Sequence, residues 1–197
     1  MKAAIILAAG DSSRMGFPKQ LAEYKGKTIL ETVVETVSNN IENTIVVLGH
    51  ENETLTEKID FKDSTILINE SWEEGIISSI RTGLFYLSSD KNIEEALIFM
   101  GDQPAINSEV IKKLLSTKHD DDEVVAPQYR YEIGYPILIP RFFWSKLELI
   151  TQDDIDGDDS VFKNFELIDF FETSESKIKI LNFNFLKPTD FDEQSDF

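Results

Sequence analysis

The chain has 197 residues, 41% of them hydrophobic, and a formal net charge of −18 at pH 7. This length fits one domain with a substantial core, and the hydrophobic content excludes a protein that is disordered throughout. The negative charge opposes nucleic-acid binding, and a chain without cysteine has no disulfide framework, zinc–thiolate site or thiol nucleophile.

The composition also predicts where the protein works. No stretch approaches the roughly 20 consecutive apolar residues of a membrane span. The apolar run at the start is short and leads into charged residues, which is not typical of a signal peptide. We therefore expect a soluble, cytoplasmic protein with neither nucleic acid nor membrane as a partner. We also expect a single domain over residues 1–197, ending in an acidic, partly disordered tail from about residue 189.

The first twenty residues predict a buried strand followed by a phosphate-binding loop. Residues 3–8 are small or β-branched apolar residues, and the run ends at Gly10. Gly10 and Gly16 allow backbone N–H groups to approach a ligand, while Arg14 and Lys19 add positive charge in the same span. The common patterns G-x-x-x-x-G-K-[ST] and G-x-G-x-x-G are both absent, so this loop must bind phosphate in another arrangement.

Strand and helix patterns alternate along the following hundred residues. Strands are predicted at 44–48, 64–69 and 95–100, and helices at 28–38, 52–59, from Gly75 to about 88, and from a Ser108 cap to about 116. This alternation predicts an α/β fold with a mostly parallel sheet, in which ligands collect at the carboxyl ends of the strands.

Two serines and an arginine begin the helix that follows Gly75. Ser78, Ser79 and Arg81 lie in its first turns, where free N–H groups and the positive end of the helix dipole favour an anion or a polar ligand edge. Helix capping by the serines and a solvated arginine explain the same residues equally well. The residues alone leave both interpretations open.

A carboxylate stands directly after the predicted strand 95–100. Asp102 lies between Gly101 and the dipeptide Gln103-Pro104, a position suited to hold a hard cation. A turn-stabilising aspartate is the commoner explanation of this spacing, so both roles remain open from the residues alone. His50 also follows a predicted strand, which makes a position in the same cleft possible without assigning it a role.

Three segments together resemble the sugar-nucleotide and cofactor nucleotidyltransferases. Residues 7–19 resemble the signature L-A-A-G-x-[SG]-x-R-M-G-x-P-K, residues 75–84 resemble G-x-x-x-S-[LI]-R-x-G-L, and residues 101–104 match G-D-Q-P. Within the MobA-like NTP transferase family, the chain is most similar to the molybdopterin cytidylyltransferases. The guanylyltransferases usually carry glycine in place of Ala9 and aspartate in place of Pro18.

This resemblance implies a fold and a reaction. The fold would be a three-layer α/β/α Rossmann-like nucleotidyltransferase fold. The reaction would be Mg²⁺-dependent transfer of CMP from CTP onto a phosphorylated acceptor, the molybdenum cofactor, with release of pyrophosphate. A molybdoenzyme or its chaperone would then be a candidate partner.

The resemblance also implies roles for individual residues. Arg14 and Lys19 are the predicted catalytic cations, and Asp102 is the predicted Mg²⁺ ligand. The predicted nucleotide-binding residues are Leu7, Ala8, Ala9, Gly10, Ser12, Ser13, Gly75, Ser79 and Arg81.

The chain departs from the family pattern where the acceptor is expected. Tyr135 stands where histidine or asparagine is usual, which makes it the candidate acceptor-binding residue. Phe162 replaces the arginine of a G-D-x-G-A-R motif. The preceding acidic segment 153–159 does not fit an EF-hand, and we expect a mobile loop whose cation binding stays open.

The second metal ligand is predicted near the last strand, placed at 178–185. The family's closing motif D-I-D-T-P-E-D supplies this ligand from its second aspartate. Alignment on Pro188 without gaps puts Leu186 there, which cannot bind Mg²⁺. We therefore prefer Asn184, an oxygen donor at a strand end, with no second ligand as the alternative.

Two other functions remain open at this point. A related transferase could act on a sugar or polyol phosphate or use another nucleotide. A member without turnover could bind nucleotide or cofactor as a carrier or regulator.

Overall fold

The computed structural model describes residues 1–12, 16–150, 167–173 and 176–191. The strands are β1 (Lys2–Ala8), β2 (Glu23–Tyr24), β3 (Lys27–Thr28), β4 (Asn43–Leu48), β5 (Thr65–Ile68), β6 (Glu95–Met100), β7 (Glu123–Tyr129), β8 (Glu132–Ile133), β9 (Ile137–Pro140) and β10 (Lys177–Asn182). The helices are α1 (Ile29–Ser38), α2 (Asn52–Lys58), α3 (Ile76–Ser88), α4 (Ser108–Ser116), α5 (Trp144–Glu148) and α6 (Leu167–Thr173), with 3₁₀ turns at Lys19–Leu21, Trp72–Glu74 and Arg141–Phe143.

The described residues form an eight-stranded sheet with β1 near its centre. The order is β10-β7-β9-β6-β1-β4-β5, with β8 paired to β7, while β2 and β3 form a separate two-stranded sheet. β1 is parallel to β4 and β6, whereas β9 runs antiparallel to β6. The predicted α/β fold with a mostly parallel sheet is confirmed.

Register brings the ends of the central strands to one edge. Leu7 of β1 pairs with Met100 of β6, and Ala8 pairs with Leu48 of β4. The chain segments that follow these three strands therefore emerge side by side. This edge is where parallel sheets bind their ligands.

Alternating side chains of β1 divide the core into two clusters. Ala3, Ile5 and Leu7 pack in one cluster with residues of α3, α5 and α6. Ala4, Ile6 and Ala8 pack in the other with residues of α1, α2 and α4. Because helices cover both faces of the sheet, the predicted three-layer arrangement is confirmed.

Helix α1 follows β3 directly because Thr28 caps it. The Thr28 side chain accepts from the Glu31 N–H at 3.1 Å, and the Glu31 carboxylate accepts from the Thr28 N–H at 2.9 Å. This capping box satisfies two helix-end donors at once. The helix then buries Leu30, Val33, Val34 and Val37 against the sheet, while Ile29 packs with Ala22 and Phe191.

Two local expectations need correction. The cap of α4 is Asn107 rather than Ser108, because the Asn107 side chain accepts from the Glu109 N–H at 2.8 Å. The last strand ends at Asn182 rather than at residue 185, and the chain then turns Phe183 onto the Tyr129 ring, with 6.1 Å between ring centroids. In the predicted tail, Phe191 is 8% exposed, and residues 192–197 lie outside the described residues.

No helix in the described part of the chain combines the length and apolar character needed to cross a membrane.

Candidate active site

A cleft opens where β1 and β6 end and α3 begins. Eight of the predicted site residues line it: Leu7, Ala8, Ala9, Gly10, Lys19, Gly75, Ser79 and Asp102. They come from three segments far apart in sequence, and the strand register described above brings those segments together. The structure therefore places most of the predicted site in one cavity.

The segments after β1 and β6 approach closely at Gly101. Its N–H donates to the Leu7 carbonyl oxygen at 2.8 Å. A Cβ at position 101 would lie 2.8 Å from the same oxygen and 2.9 Å from the Ala8 Cβ. Only glycine fits here, and this close approach sets the position of Asp102.

An ion pair crosses the cleft. The Lys19 ammonium lies 2.6 Å from Oδ2 of Asp102, and the two side chains are only 17% and 11% exposed. Water screens such a pair weakly because both side chains are largely buried. The predicted phosphate-binding lysine and the predicted metal ligand are thus immediate neighbours.

Gln20 holds the loop after β1, a role that the sequence did not reveal. Its amide nitrogen donates to the carbonyl oxygens of Ala8 at 3.1 Å and Gly10 at 3.4 Å, and the residue is 3% exposed. Gln20 follows the last position of the signature, in a 3₁₀ turn that begins at Lys19. The sequence indicates this role only through the position of the polar Gln20 directly before the apolar Leu21.

Ser12 connects the two ends of the same loop. Its hydroxyl oxygen accepts from the Lys19 N–H at 3.0 Å, and its hydroxyl donates to the Gln20 side-chain oxygen at 3.2 Å. The Ser12 φ angle is +53°, a left-handed conformation in a non-glycine residue. The predicted nucleotide-binding serine therefore ties the loop together beside the cleft.

Trp72 forms a further wall that the sequence analysis did not single out. It lines the cleft, and the His50 ring packs against it with 5.0 Å between ring centroids. Behind it, a Cβ at Gly49 would lie 2.5 Å from the Trp72 Cβ and 2.8 Å from the Ala9 carbonyl oxygen. His50 thus lies next to the cleft, where its position after β4 allowed it to be.

Gly75 and Ser79 place the start of α3 at the cleft, whereas Arg81 lies elsewhere. Gly75 adopts a φ of +83°, which favours glycine, and Ser79 is 4% exposed. The Arg81 guanidinium donates to the Ile150 carbonyl oxygen at 2.9 Å and lies in a separate pocket with Phe85. Successive helical residues turn by about 100°, so residues 79 and 81 face nearly opposite directions.

Two other predicted residues also lie away from this cleft. The Tyr135 ring is 6% exposed and belongs to the apolar cluster beside α3, while its carbonyl oxygen accepts from the Tyr129 hydroxyl at 2.5 Å. Asn184 is exposed, and its backbone oxygen accepts from the Arg130 side chain at 3.2 Å.

Among the described residues near the carboxyl end of the chain, Asp190 reaches the Asp102 turn. Its carboxylate accepts from the Gln103 amide at 2.7 Å, and the next N–H, that of Phe191, donates to the Asp102 carbonyl oxygen at 3.2 Å. The Phe191 ring then packs edge-on against Tyr24. The tail thus braces the turn that carries the predicted metal ligand.

Several predicted features lie outside the described residues. These are Ser13, Arg14, the acidic segment 153–159 and Phe162. Within the described residues, no group of three or more histidine, aspartate or glutamate side chains could hold a metal ion. Asp102 is therefore a candidate ligand that would need oxygen atoms from elsewhere.

Comparison with known proteins identifies the family. Residues 4–167 match the model of the MobA-like NTP transferase domain. The chain belongs to this family. Membership in the MobA-like NTP transferase family makes the protein a nucleotidyltransferase, and it confirms the resemblance found in residues 7–19, 75–84 and 101–104.

Individual relatives match the chain over different lengths. A probable molybdenum cofactor guanylyltransferase of Natranaerobius thermophilus is 26% identical over 195 residues, which cover 96% of this chain and 93% of that protein. The bifunctional protein GlmU of Francisella tularensis subsp. novicida is 36% identical over 121 residues, which are 60% of this chain and 26% of GlmU. The match thus spans only about a quarter of GlmU.

Solved structures share the fold. Rv0371c from Mycobacterium tuberculosis H37Rv superimposes with a TM-score of 0.82 at 19% identity, covering 99% of this chain and 94% of that one. A second structure of Rv0371c, with a TM-score of 0.76, 18% identity and coverage of 99% and 95%, is described as a complex with manganese.

Proposed function

We propose that this MobA-like protein transfers CMP from CTP onto a phosphorylated acceptor, the molybdenum cofactor, and releases pyrophosphate. The observation that carries the proposal is the ion pair between Lys19 and Asp102, 2.6 Å long, in a cleft also lined by Ala9 and Gly10. It combines a cation for phosphate, an oxygen ligand for a metal and a glycine-containing backbone loop. Together these are the parts that a nucleoside triphosphate needs.

The triphosphate would lie between the loop after β1 and Lys19. In the described part of that loop, Gln20 donates to the Ala8 and Gly10 carbonyl oxygens and accepts from the Ser12 hydroxyl, so residues 8–12 are held in place before the nucleotide binds. Backbone N–H groups of these held residues would lie near the phosphates without reorganisation during the reaction. The Arg14 guanidinium is the second predicted cation for these phosphates.

Asp102 fits a magnesium ion. Mg²⁺ commonly takes one or two carboxylates and completes its shell with substrate phosphates and water. A single buried carboxylate beside the phosphate site meets this requirement, and a fold relative has been described with manganese. When bound, the ion supplies positive charge to the phosphate oxygens. Lys19, relieved of neutralising Asp102, would then be available to the same oxygens.

The reaction needs little further chemistry from the side chains. The acceptor phosphate is already an anion, so its attack on the α-phosphorus requires no general base. Charge grows on the transferred group and on the departing pyrophosphate, and Lys19 and Arg14 would balance it. A cleft without cysteine and with only one neighbouring histidine, His50, is consistent with this mechanism.

The side chain at position 9 favours a donor nucleotide with a pyrimidine base. Ala9 lines the cleft and is 6% exposed, and its methyl group adds volume that a glycine would not. A narrower cleft favours cytosine over the larger guanine. GTP is the competing donor, because the relative that spans nearly the whole chain is described as a guanylyltransferase.

The same relative supports the acceptor. It matches 96% of this chain and 93% of its own length, whereas GlmU matches 60% and 26%. Likeness over the full length includes the segments after β6, where a second substrate would bind. We therefore favour the molybdenum cofactor over a sugar or polyol phosphate.

Pyrophosphate release tests the proposal. The protein is mixed with molybdenum cofactor, Mg²⁺ and one of the four nucleoside triphosphates, and Asp102→Ala is compared with the parent. Asp122→Ala is the matched control. It removes an aspartate from the loop before β7, at the end of the sheet opposite to the strand ends that form the cleft. We expect release with CTP, abolished by Asp102→Ala and retained by the control. Release with GTP alone would contradict CTP as the donor. If release occurs only when a sugar phosphate replaces the cofactor, the molybdenum cofactor is not the acceptor.

A further inference from the structure

Asn69 is a buried polar residue directly behind the cleft. It follows the last residue of β5, is 3% exposed, and its N–H donates to the Leu48 carbonyl oxygen at 2.7 Å. This bond joins Asn69 to the end of β4. The side chain is therefore held in a fixed place relative to the sheet and α3.

The orientation of the Asn69 amide follows from its neighbours. Its side-chain oxygen accepts from the Ser71 N–H at 3.0 Å, so the nitrogen must face the other way. That nitrogen donates to the hydroxyl oxygens of Ser78 at 2.8 Å and Ser79 at 3.0 Å. A flipped amide would set two donors against each other at Ser71.

The hydroxyl groups of Ser78 and Ser79 differ as hydrogen-bond donors. The Ser78 hydroxyl donates to the Gly75 carbonyl oxygen at 2.7 Å, so its proton is used within α3. Ser79 accepts from Asn69 and donates to no group in the described parts of the chain, and it lines the cleft. Its hydroxyl proton is thus available to a bound ligand.

The cleft itself indicates which part of a nucleotide Ser79 would meet. Lys19 and Asp102 form its charged end, which suits the triphosphate and the metal. Trp72 and Ile76, on the chain segment that leads into Ser79, supply an aromatic and an apolar wall. A planar, uncharged base fits against such a wall.

We infer that Asn69 is a positioning residue that fixes the Ser79 hydroxyl as a hydrogen-bond donor to an acceptor atom on the nucleotide base. The inference rests on the proposed nucleotide transfer and adds how the base is recognised. Cytosine offers the acceptors N3 and O2. Because Asn69 already occupies an acceptor site of the Ser79 oxygen, the hydroxyl can meet these atoms by donating.

An isosteric substitution reverses this arrangement. Asn69→Asp keeps the size of the side chain and the bond from the Ser71 N–H, but its second oxygen accepts from Ser79 instead of donating to it. The lone pairs of Ser79 would then face the acceptor atoms of the base. Dissociation constants for CTP and for inorganic triphosphate, which has no base, are measured by calorimetry for the parent and the variant.

We expect Asn69→Asp to weaken CTP binding about tenfold and to leave triphosphate binding unchanged. In a Ser79→Ala background the same substitution should cause no further loss, because the hydroxyl it acts through is gone. Ser78→Ala is the matched control and should keep the CTP affinity of the parent. Asn69→Ala, which leaves Ser79 without a fixed orientation, should weaken CTP binding by a smaller factor and serves if the buried aspartate prevents folding.

Unchanged CTP affinity in Asn69→Asp, or in Asn69→Ala if the aspartate variant does not fold, would overturn the inference. Equal losses for CTP and triphosphate would also overturn it, since Asn69 would then act on the shape of the whole cleft. A parent protein that binds no nucleoside triphosphate would instead overturn the proposed function, so the two failures are distinguishable.

Discussion

The Lys19 ammonium lies 2.6 Å from the Asp102 carboxylate, although the two residues are 83 positions apart in the sequence. The pair joins the loop after β1 to the turn after β6, at the edge where both strands end. Since both side chains are largely buried, replacing either one leaves a charge with less compensation. This relationship links the phosphate-binding and metal-binding halves of the proposed site.

Lys19→Ala should lower the rate of pyrophosphate release about 100-fold, because the charge on the leaving group loses a fixed cation. Steady-state kinetics at saturating nucleotide and Mg²⁺ measure this effect. Lys112→Ala, at an exposed position on α4, changes the net charge equally and should retain the parent rate. Equal losses in both variants would show that overall charge, and not contact with phosphate, is responsible.

Gln20→Leu should destabilise the fold and weaken nucleotide binding together. The substitution keeps the volume but leaves the Ala8 and Gly10 carbonyl oxygens without their amide donor. We expect the free energy of unfolding in urea to fall by about 1–3 kcal/mol. Gln128→Leu, at a half-buried position on β7, is the control and should change both quantities far less. Parent-like nucleotide affinity in Gln20→Leu would contradict the loop-holding role.

Gly49→Ala should be destabilising because its Cβ would overlap the Trp72 Cβ and the Ala9 backbone oxygen. Overpacking of this kind costs about 1–3 kcal/mol of unfolding free energy. Gly10→Ala is the control for stability alone, since its Cβ would meet no atom within 4 Å. Thermal unfolding distinguishes them. If Gly49→Ala were as stable as Gly10→Ala, Trp72 would be able to move away from the added Cβ. The side of the cleft that Trp72 forms would then not be rigid.

The stability contributed by Tyr129 should depend on pH. Burial raises the pKa of its hydroxyl above the ordinary value of 10.0, so the folded chain favours the neutral form. The contribution is complete below about pH 10 and is lost as pH rises, because the unfolded chain ionises first. At pH 8, Tyr129→Phe should cost about 1 kcal/mol through the lost bond to Tyr135.

At pH 11 the difference between Tyr129→Phe and the parent should shift by about 1.4 kcal/mol in favour of the variant. Urea unfolding at both pH values measures the change. Tyr131→Phe is the matched control, because Tyr131 is 77% exposed and should show the same stability difference at both pH values. A constant difference for Tyr129→Phe would contradict the raised pKa.

The sequence predicted the strand ends and glycine turns of the site, because backbone conformation and burial determine which residues can stand there. The apolar run before Gly10 and the strand before Asp102 identified two neighbouring strand ends, and their parallel register brought Lys19 to Asp102. Glycine positions 75 and 101 were likewise required by conformation and by close approach.

Features that depend on tertiary contacts could not be read from the sequence. Gln20 gains its role only when the loop folds over its amide, and Asn69 only when α3 brings its serines near. The resemblance gave Arg81 a nucleotide-binding role, and the structure places it in a different pocket from Ser79 because helical geometry turns the two residues apart. The interaction of Asp190 with Gln103 depends on a tail that crosses the sheet edge after the last strand, which spacing alone cannot show.

The identity of the product tests the central claim most directly. The protein is incubated with molybdenum cofactor, CTP, GTP and Mg²⁺ together, and the products are separated and weighed by mass spectrometry. We predict one new species in which CMP is joined to the cofactor through a pyrophosphate bond, and its absence with Asp102→Ala. A GMP conjugate, or an unmodified cofactor in the presence of bound CTP, would contradict the account.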